Sequence, residues 1–468
     1  MKTTKGRSTK QSRDQKSGKS QIPIRSGTTF KWRIQQRGSK DDSDGVPDRK
    51  PALKRHQHQL QVTRTQGRRW DDPSASRPVG SELSFVTFAE TTKPYTLENA
   101  VQYLTHIRDS FYPTEVCVRH TAVDRSLYLF LFNDPLYFHA IQFAVLAYKE
   151  MLLGLPRSNE TYRHGAKTFQ LLRQRLSSPD QLIALSDPTA LAIITLAHAA
   201  EGSGDSKGFE AHVQGLRALV EARGGLTSLK SDLREMRTKI CRVDSAFAFL
   251  EDRPPMFFQE SISWDRYLVD QNEPVDTGPI SIRLEEIRSL EPKLVNVWLD
   301  MRQFAFMCNR NQRSNTRIDQ STYGKITVSM QYRLLHLSFA ECSLNNALRM
   351  GLLVVMTKLM FGWHPNNKAQ RRALVRFEMA LLQLRSVVED VPCPLLFWMI
   401  MVRFQFGVPE TADTWLEAWL ADTIKELPIS SWSEARAFLV SMVWFEFFGD
   451  SDAKIAFEAA CPRNQSSD

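Results

Sequence analysis

The chain has 468 residues, of which 42% are hydrophobic, 24% are charged, 21 are glycine and six are cysteine, so the composition excludes collagen-like and disulfide-stapled proteins. The formal net charge of +9 is unevenly spread. Residues 1–80 hold 20 basic and 7 acidic residues, a balance of +13, whereas the other 388 residues hold 41 basic and 45 acidic residues, a balance of −4.

The basic segment, residues 1–80, contains only 14 apolar residues. A segment so rich in charge and so poor in apolar side chains cannot bury enough surface to offset the conformational entropy that folding removes. The sequence therefore predicts a disordered tail over residues 1–80 and a folded body over residues 81–468.

Two groups of cations stand out in this tail. The first is Arg49, Lys50, Lys54 and Arg55, and the second is Arg64, Arg68 and Arg69. Flexible cations at this density bind the acidic grooves of nuclear import receptors, or the phosphates of nucleic acid with little sequence preference. The alternative is that they only keep the chain in solution. We expect a nuclear protein whose tail binds an import receptor and binds DNA, if at all, weakly and without sequence specificity.

Cysteine spacing and apolar runs bear on the compartment. No two cysteines have C-x-x-C or another metal-ligand spacing, which predicts reduced thiols in an intracellular protein and no metal site. The strongest apolar runs, Thr189–Ala200 and Leu395–Val402, have the length of buried core helices rather than of membrane spans. We therefore expect no membrane contact.

Helix-start and helix-stop signals follow from residue 134 onward. Asp134, Ser178 and Asp187 each precede a proline, the arrangement of an N-cap residue before the first helical position. Residues Ser431–Glu434 have the capping-box spacing, and Arg223-Gly224-Gly225 has the glycines of a helix end.

Between these signals, apolar residues recur at spacings of three and four, as on one face of a helix. Two such faces are Phe209, Val213, Leu216, Leu219 and Val220, and Leu374, Phe377, Leu381, Leu384 and Val388. Strand-like alternation is confined to residues 279–284 and 326–332, and residues 252–279 have the prolines of a long connection. The sequence predicts an all-α fold, with roughly twelve to fifteen helices around one extended core.

Catalytic motifs are missing from the sequence, which contains no G-x-S-x-G, H-E-x-x-H, P-loop or kinase signature. His139, His198 and His212 lie singly in apolar helices and are interpreted as core or interface side chains. The glycines of Gly202-Ser203-Gly204 follow a helix and are interpreted as a helix–helix loop. We expect no enzyme activity, no catalytic residues, no metal and no cofactor.

Residues 133–244, with Arg253-Pro254 after them, resemble the fungal-specific transcription factor domain. The residues that carry the resemblance are, in order, Asn133-Asp134-Pro135-Leu136-Tyr137-Phe138-His139-Ala140, Tyr162, Gly165, Leu171, Leu172, Leu176, Leu185-Ser186-Asp187-Pro188-Thr189, Gly202-Ser203-Gly204-Asp205, His212-Val213-Gln214-Gly215-Leu216, Arg223-Gly224-Gly225, Ile240, Arg242-Val243-Asp244 and Arg253-Pro254. Their roles are those of a scaffold: Asp134 is expected to cap a helix, Gly215 to allow two helices to approach closely, and Gly224 and Gly225 to end a helix.

The resemblance implies an all-helical regulatory domain that controls metabolic genes, often those of specialised metabolism. Its implied partners are the transcription machinery or another regulator. The family's usual DNA-binding module is a binuclear zinc cluster with C-x2-C-x6-C spacing, but here the first cysteine is Cys117 and that spacing is absent. The chain would then act through partners, bind DNA loosely through its tail, or lack an exon.

Two other hypotheses about the function of the chain stay open. One is an interaction protein or co-regulator that has the same helical domain but does not bind DNA. The other is a helical enzyme whose site is assembled from residues distant in sequence, which would need a cavity containing titratable groups with shifted pKa values.

We predict that replacing Arg49, Lys50, Lys54 and Arg55 together by alanine lowers nuclear accumulation, because it removes the charge that an import receptor would bind. The nuclear-to-cytoplasmic ratio of a fluorescent fusion measures this. A ratio equal to that of the unmodified fusion would assign the cluster to solubility.

Overall fold

The computed structural model describes residues 100, 103–105, 111–117, 125–229, 235–258, 262–268, 290–361, 368–387, 391–407 and 414–461. Within them lie fifteen α-helices, one 3-10 helix and no strand, apart from an isolated bridge between Cys117 and Ile318. The predicted all-α fold is confirmed. The predicted tail over residues 1–80 and the strand-like residues 279–284 fall outside the described residues.

The first seven helices lie between Arg125 and Glu251 and include the stretch that carries the family resemblance. They are α1 (Arg125–Asn133), α2 (Pro135–Leu152), α3 (Asn159–Leu176), α4 (Gln181–Ala184), α5 (Asp187–Ser203), α6 (Ser206–Ala222) and α7 (Met236–Glu251).

The other eight helices follow an irregular connection. They are α8 (Pro292–Arg313), α9 (Gln320–His336), α10 (Leu344–Phe361), α11 (Lys368–Val387), α12 (Cys393–Phe406), α13 (Thr414–Lys425), α14 (Trp432–Ser441) and α15 (Ser451–Ala460), with the 3-10 helix Glu446–Phe448 before the last. The strand-like residues 326–332 lie within α9, so their alternation does not produce a strand.

Most predicted helix ends are confirmed. The Asp134 carboxylate accepts the amide of Tyr137 at the start of α2, and Ser431 with Glu434 forms the capping box of α14. After α6, Gly224 and Gly225 have φ angles of +88° and +87°, which glycine adopts without strain. Residues 252–258 and 262–268 are irregular, as the predicted connection requires.

Two predicted caps are wrong. Asp180 rather than Ser178 caps α4, because its carboxylate accepts the amide of Leu182. Ser186 rather than Asp187 is the N-cap of α5, and Asp187 is its first helical residue. The Asp187 carboxylate binds Arg223 instead, at 2.9 Å.

The buried apolar side chains form two clusters rather than the single predicted core. One joins α1–α3 and α5–α7 and contains the predicted face from Phe209 to Val220. The other joins α8–α15 and contains Leu374, Phe377, Leu381 and Leu384. Val388 lies outside the described residues. Leu250 and Val328 pack against both clusters, so α7 and α9 lie where the two meet.

The two strongest apolar runs lie in core helices, as predicted. Every residue of Leu395–Val402 is buried in α12, and α5 buries most of Thr189–Ala200 against α2 and α6. By length and composition alone, the stretch Gln181–Ser203 is the one described segment apolar enough to cross a membrane. In the structure it is divided at Leu185 into α4 and α5.

The predicted close approach at Gly215 is wrong, because this glycine is exposed and a Cβ atom there would meet nothing within 4 Å. Close approaches occur instead at Gly165, where a Cβ would lie 3.1 Å from the ring of Phe143, and at Gly351, where it would lie 3.1 Å from Phe377.

Two buried carboxylates hold the irregular connection against the helices. On α7, Asp244 accepts the amides of Met256 and Phe257 (2.9 and 3.2 Å) and the hydroxyl of Tyr332 (2.6 Å). On α8, Asp300 accepts the amides of Tyr267 and Leu268 (2.7 and 3.0 Å).

Asp300 also accepts a charged hydrogen bond from Arg333 (2.6 Å), the residue that follows Tyr332 on α9. Asp300 and Arg333 are both almost fully buried. Asp244 has no such ion pair within 4.0 Å among the described residues, and burial raises the pKa of its carboxyl group. The two carboxylates thus have similar amide partners but differ in charge compensation.

We predict that Asp300→Asn lowers the free energy of unfolding by about 3–5 kcal/mol, since it leaves the buried Arg333 without its counter-charge. Asp244→Asn keeps an acceptor oxygen and strands no cation, so we expect a loss of about 1 kcal/mol. Urea unfolding of the two matched variants measures the difference. Equal losses would mean that the Asp300–Arg333 charge pair contributes nothing beyond its hydrogen bonds.

Candidate functional site

The predicted site residues of the tail are not among the described residues. These are Arg49, Lys50, Lys54, Arg55, Arg64, Arg68 and Arg69. Their roles in nuclear import or nucleic-acid contact therefore stay predictions.

Residues that carry the family resemblance have structural partners. Asp134 caps α2 and also pairs with Arg175 of α3, while Asp187 pairs with Arg223, whose Nε donates to the carbonyl of Leu185. Gly204, at the end of α5, has a φ of +75° and turns the chain into α6. The predicted helix–helix loop is shorter than residues 202–204 suggest, because Gly202 and Ser203 are the last residues of α5 and only Gly204 and Asp205 separate it from α6. The ion pairs tie helices together.

The histidines are not all single. The Nδ1 atoms of His139 and His164 lie 2.8 Å apart, so one ring donates to the other, and the prediction of a lone His139 is wrong. His198 lies 3.4 Å from a carboxylate oxygen of Glu201, and the ring of His212 stacks on Phe169. Sequence could not reveal the first pair because its members lie on different helices, 25 residues apart.

All six cysteines are free thiols, of which Cys117, Cys241 and Cys308 are buried. Burial raises the pKa of Cys241 to about 12, so this thiol stays protonated at neutral pH. Over the residues that the structure describes, no group of three or more His, Cys, Asp or Glu side chains is arranged to hold a metal ion.

The main candidate site is a cavity of about 440 Å³ where the ends of α7 and α9 meet α10 and α11. We call it the arginine cavity because Arg253, Arg349 and Arg376 line it. It forms where two helices stop: α7 ends at Asp252, which has a φ of +55°, and α9 ends at His336 before an extended Leu337. Its volume is that of a typical small-molecule site.

The two helix ends hold two of the arginines. Arg349 of α10 donates from Nε to the carbonyl of Leu334 in the last turn of α9 (2.9 Å). Arg376 of α11 donates from Nη1 to the carbonyl of Phe249 in the last turn of α7 (3.2 Å). Helix carboxyl ends attract cations because their last carbonyls lack amide partners, which explains why both arginines point here.

Arg349 is a guanidinium without a carboxylate partner. No Asp or Glu oxygen lies within 4.0 Å of it among the described residues, and its remaining contact is a long one to the sulfur of Met350 (3.7 Å). Burial lowers the pKa of Arg349 to about 10, while the nearby Asp252 acts in the opposite direction. The group remains a cation at neutral pH, in a place where its charge is poorly solvated.

Arg376 has a partial counter-charge. Its Nη1 atom lies 3.1 Å from a carboxylate oxygen of Asp252, whose side chain is 75% exposed. Burial nevertheless lowers the pKa of Arg376. An exposed carboxylate at the cavity mouth is therefore the only acid within ion-pair distance of either arginine, counting only residues that the structure describes.

The rest of the cavity wall is mixed. Val375 and Met379, one helical turn apart on α11, are apolar and more than half exposed at its edge. The Nε2 atom of His336 is buried there without a hydrogen-bond partner among the described residues, while its Nδ1 donates to the carbonyl of Tyr332 (2.7 Å). Besides the three arginines, the cavity has two lining carboxylates, Asp252 and Glu341, and an apolar edge.

No sequence motif marks this site. Arg349 and Arg376 come from different helices and lie in no motif, and only Arg253 belongs to the stretch that carries the resemblance. The one usable signal is an arginine at an otherwise apolar helix position, as Arg349 is among Leu348, Met350 and Leu352.

Comparison of the chain with protein families, curated proteins and solved structures found no match. The resemblance to the fungal transcription factor domain thus stays a prediction from the quoted residues.

We predict that Arg349→Met leaves the free energy of unfolding unchanged or raises it by up to about 1 kcal/mol, because an uncompensated buried charge is replaced by an apolar chain of similar length. The control Arg333→Met should cost about 3–5 kcal/mol, since it removes the nearer of the two arginines that pair with the buried Asp300 (2.6 Å) and leaves only Arg266 at 3.6 Å. Chemical denaturation compares them. A loss of more than about 2 kcal/mol in Arg349→Met would make Arg349 a structural residue rather than one retained for binding.

Proposed function

We propose that this protein is a nuclear regulator of transcription of metabolic genes, in which a basic tail provides nuclear import and a helical body provides regulation. The uneven distribution of charge is the main support for the proposal, since the tail has a net charge of +13 and the remainder a net charge of −4. A body of that sign repels nucleic acid overall, so any contact with phosphates would fall to the tail.

The helical body supports a regulatory role rather than a catalytic one. The residues of the family resemblance act as caps, helix ends and interhelical ion pairs, as in Asp134 with Arg175 and Asp187 with Arg223. The arginine cavity supplies a place where a small molecule would act on this body.

The missing cysteine spacing favours a second form of the proposal. Without C-x2-C-x6-C there is no zinc cluster to read bases, so the chain would reach specific promoters through a partner that does. In this form the protein is a co-regulator, and its own DNA binding is weak and insensitive to sequence.

Chromatin occupancy of the tagged full chain, compared with a form lacking residues 1–80 fused to an unrelated nuclear localisation signal, tests the proposal. The supplied signal removes import as a cause of any difference. We expect occupancy at defined promoters for the full chain, and persistence in the truncated form if a partner recruits the body. Absence of both proteins from chromatin would refute the regulator.

Direct DNA binding is tested on the purified chain. We expect affinity that falls steeply with salt, does not distinguish a promoter fragment from scrambled DNA, and disappears when residues 1–80 are deleted, because phosphate contacts release counterions and read no bases. A competition titration at two salt concentrations measures this. Selective binding that survives both high salt and the deletion would place a DNA-reading surface on the body.

A further inference from the structure

We propose that the arginine cavity binds a small organic anion with an apolar body, whose carboxylate or phosphate head is held by Arg349 and Arg376. The binding itself is independent of the proposed function, whereas its meaning as a regulatory input rests on that function.

The charge distribution of the cavity supports an anion. Arg349 is oriented by the carbonyl of Leu334 through its Nε atom, which leaves the far edge of its guanidinium for a ligand. Arginine presents parallel N–H donors that match the two oxygens of a carboxylate or phosphate group. An anion at this point would supply the counter-charge that the described residues do not, and would offset the desolvation of the cation.

Arg376 adds a second cation on the facing helix. It is fixed by the carbonyl of Phe249 and lies over the ring of the same residue, 5.3 Å from its centroid. Its ion pair with Asp252 is weak, because the Asp252 carboxylate is largely exposed and solvent screens its charge. A bound anion would compete with Asp252 for Arg376, so the acid acts as an internal competitor at the cavity mouth.

The apolar residues of the cavity wall indicate that the ligand has an apolar part. Leu353 and Ala380 line the interior, and Val375 and Met379 form an exposed apolar edge on α11. A purely polar ion would leave this surface and much of the 440 Å³ volume unused. A molecule with an alkyl or aromatic body would bury it and gain the hydrophobic contribution.

The experiment titrates the purified full chain with decanoate, decyl phosphate, 1-decanol and decylammonium, each below the concentration at which it aggregates, and measures heat by calorimetry. The four probes share one apolar body and differ in the charge of the head. We expect one site for decanoate or decyl phosphate, binding of decanol at least about tenfold weaker, and no measurable binding of decylammonium. The preferred anion identifies the head group.

Variants locate the site. Arg349→Gln and Arg376→Gln should each weaken the anion by about tenfold or more, while leaving decanol unchanged. Arg371→Gln, an exposed arginine on α11 that does not line the cavity, is the matched control and should bind as the unmodified chain does.

Asp252→Asn removes the internal competitor and keeps a residue that tolerates the positive φ of this position. We expect it to bind the anion up to about fivefold more tightly, the range that an exposed ion pair contributes. This gain of affinity cannot arise from misfolding, so it remains informative even if an arginine variant unfolds.

Equal affinity for decanol and the anions, no binding of either anion, or equal losses in Arg371→Gln and Arg349→Gln would overturn the proposal. Absence of binding together with intact chromatin occupancy would reject the ligand site but leave the regulator standing. Binding without chromatin occupancy would support the ligand site and reject the regulator.

Discussion

Helix α9 is the element on which the body depends, because two neighbouring residues on it satisfy two buried carboxylates. Tyr332 donates to Asp244 of α7, and Arg333 donates to Asp300 of α8. The same carboxylates accept backbone amides of the irregular connection between those helices. A buried carboxylate that lost its donors would incur a large desolvation penalty, so α7, α8, α9 and the connection hold their relative positions together.

The arginine cavity is a consequence of that constraint. Since Tyr332 and Arg333 fix the last turns of α9, the helix end at His336 is fixed too. Its last turn presents carbonyls without amide partners, and that of Leu334 faces Arg349 of α10. Arg349 satisfies one of them, but no acid among the described residues pairs with it. Arg333 is a buried arginine whose charge is matched by Asp300, so it stabilises the fold. Arg349 differs from it because its charge remains available to a ligand.

Features that depend on neighbouring residues could be predicted from the sequence, whereas contacts between residues distant in sequence could not. The capping box at Ser431 and the glycines after α6 depend on neighbours within five residues, so the sequence displays them directly. Two caps lie one or two residues from the predicted positions: the Asp187 carboxylate binds Arg223, and Ser178 accepts the amide of Asp180, whose own carboxylate caps α4. His139 with His164, and Arg349 with the end of α9, are pairs that only tertiary packing creates, and neither follows a spacing rule.

One electrostatic rule connects the tail and the body: a cation without a matched carboxylate is available to an anion. In the body, Arg175, Arg223 and Arg333 are each paired with an acid, and Arg242 lies over the rings of Phe111 and Tyr112. Within the body, the proposed anion site is the arginine cavity, whereas residues 1–80 carry 20 basic residues along the chain. Salt screens exposed charges strongly and buried ones little. Raising the ionic strength would therefore weaken anion binding by the tail more than anion binding by the cavity, and would separate the two proposed activities in a single protein.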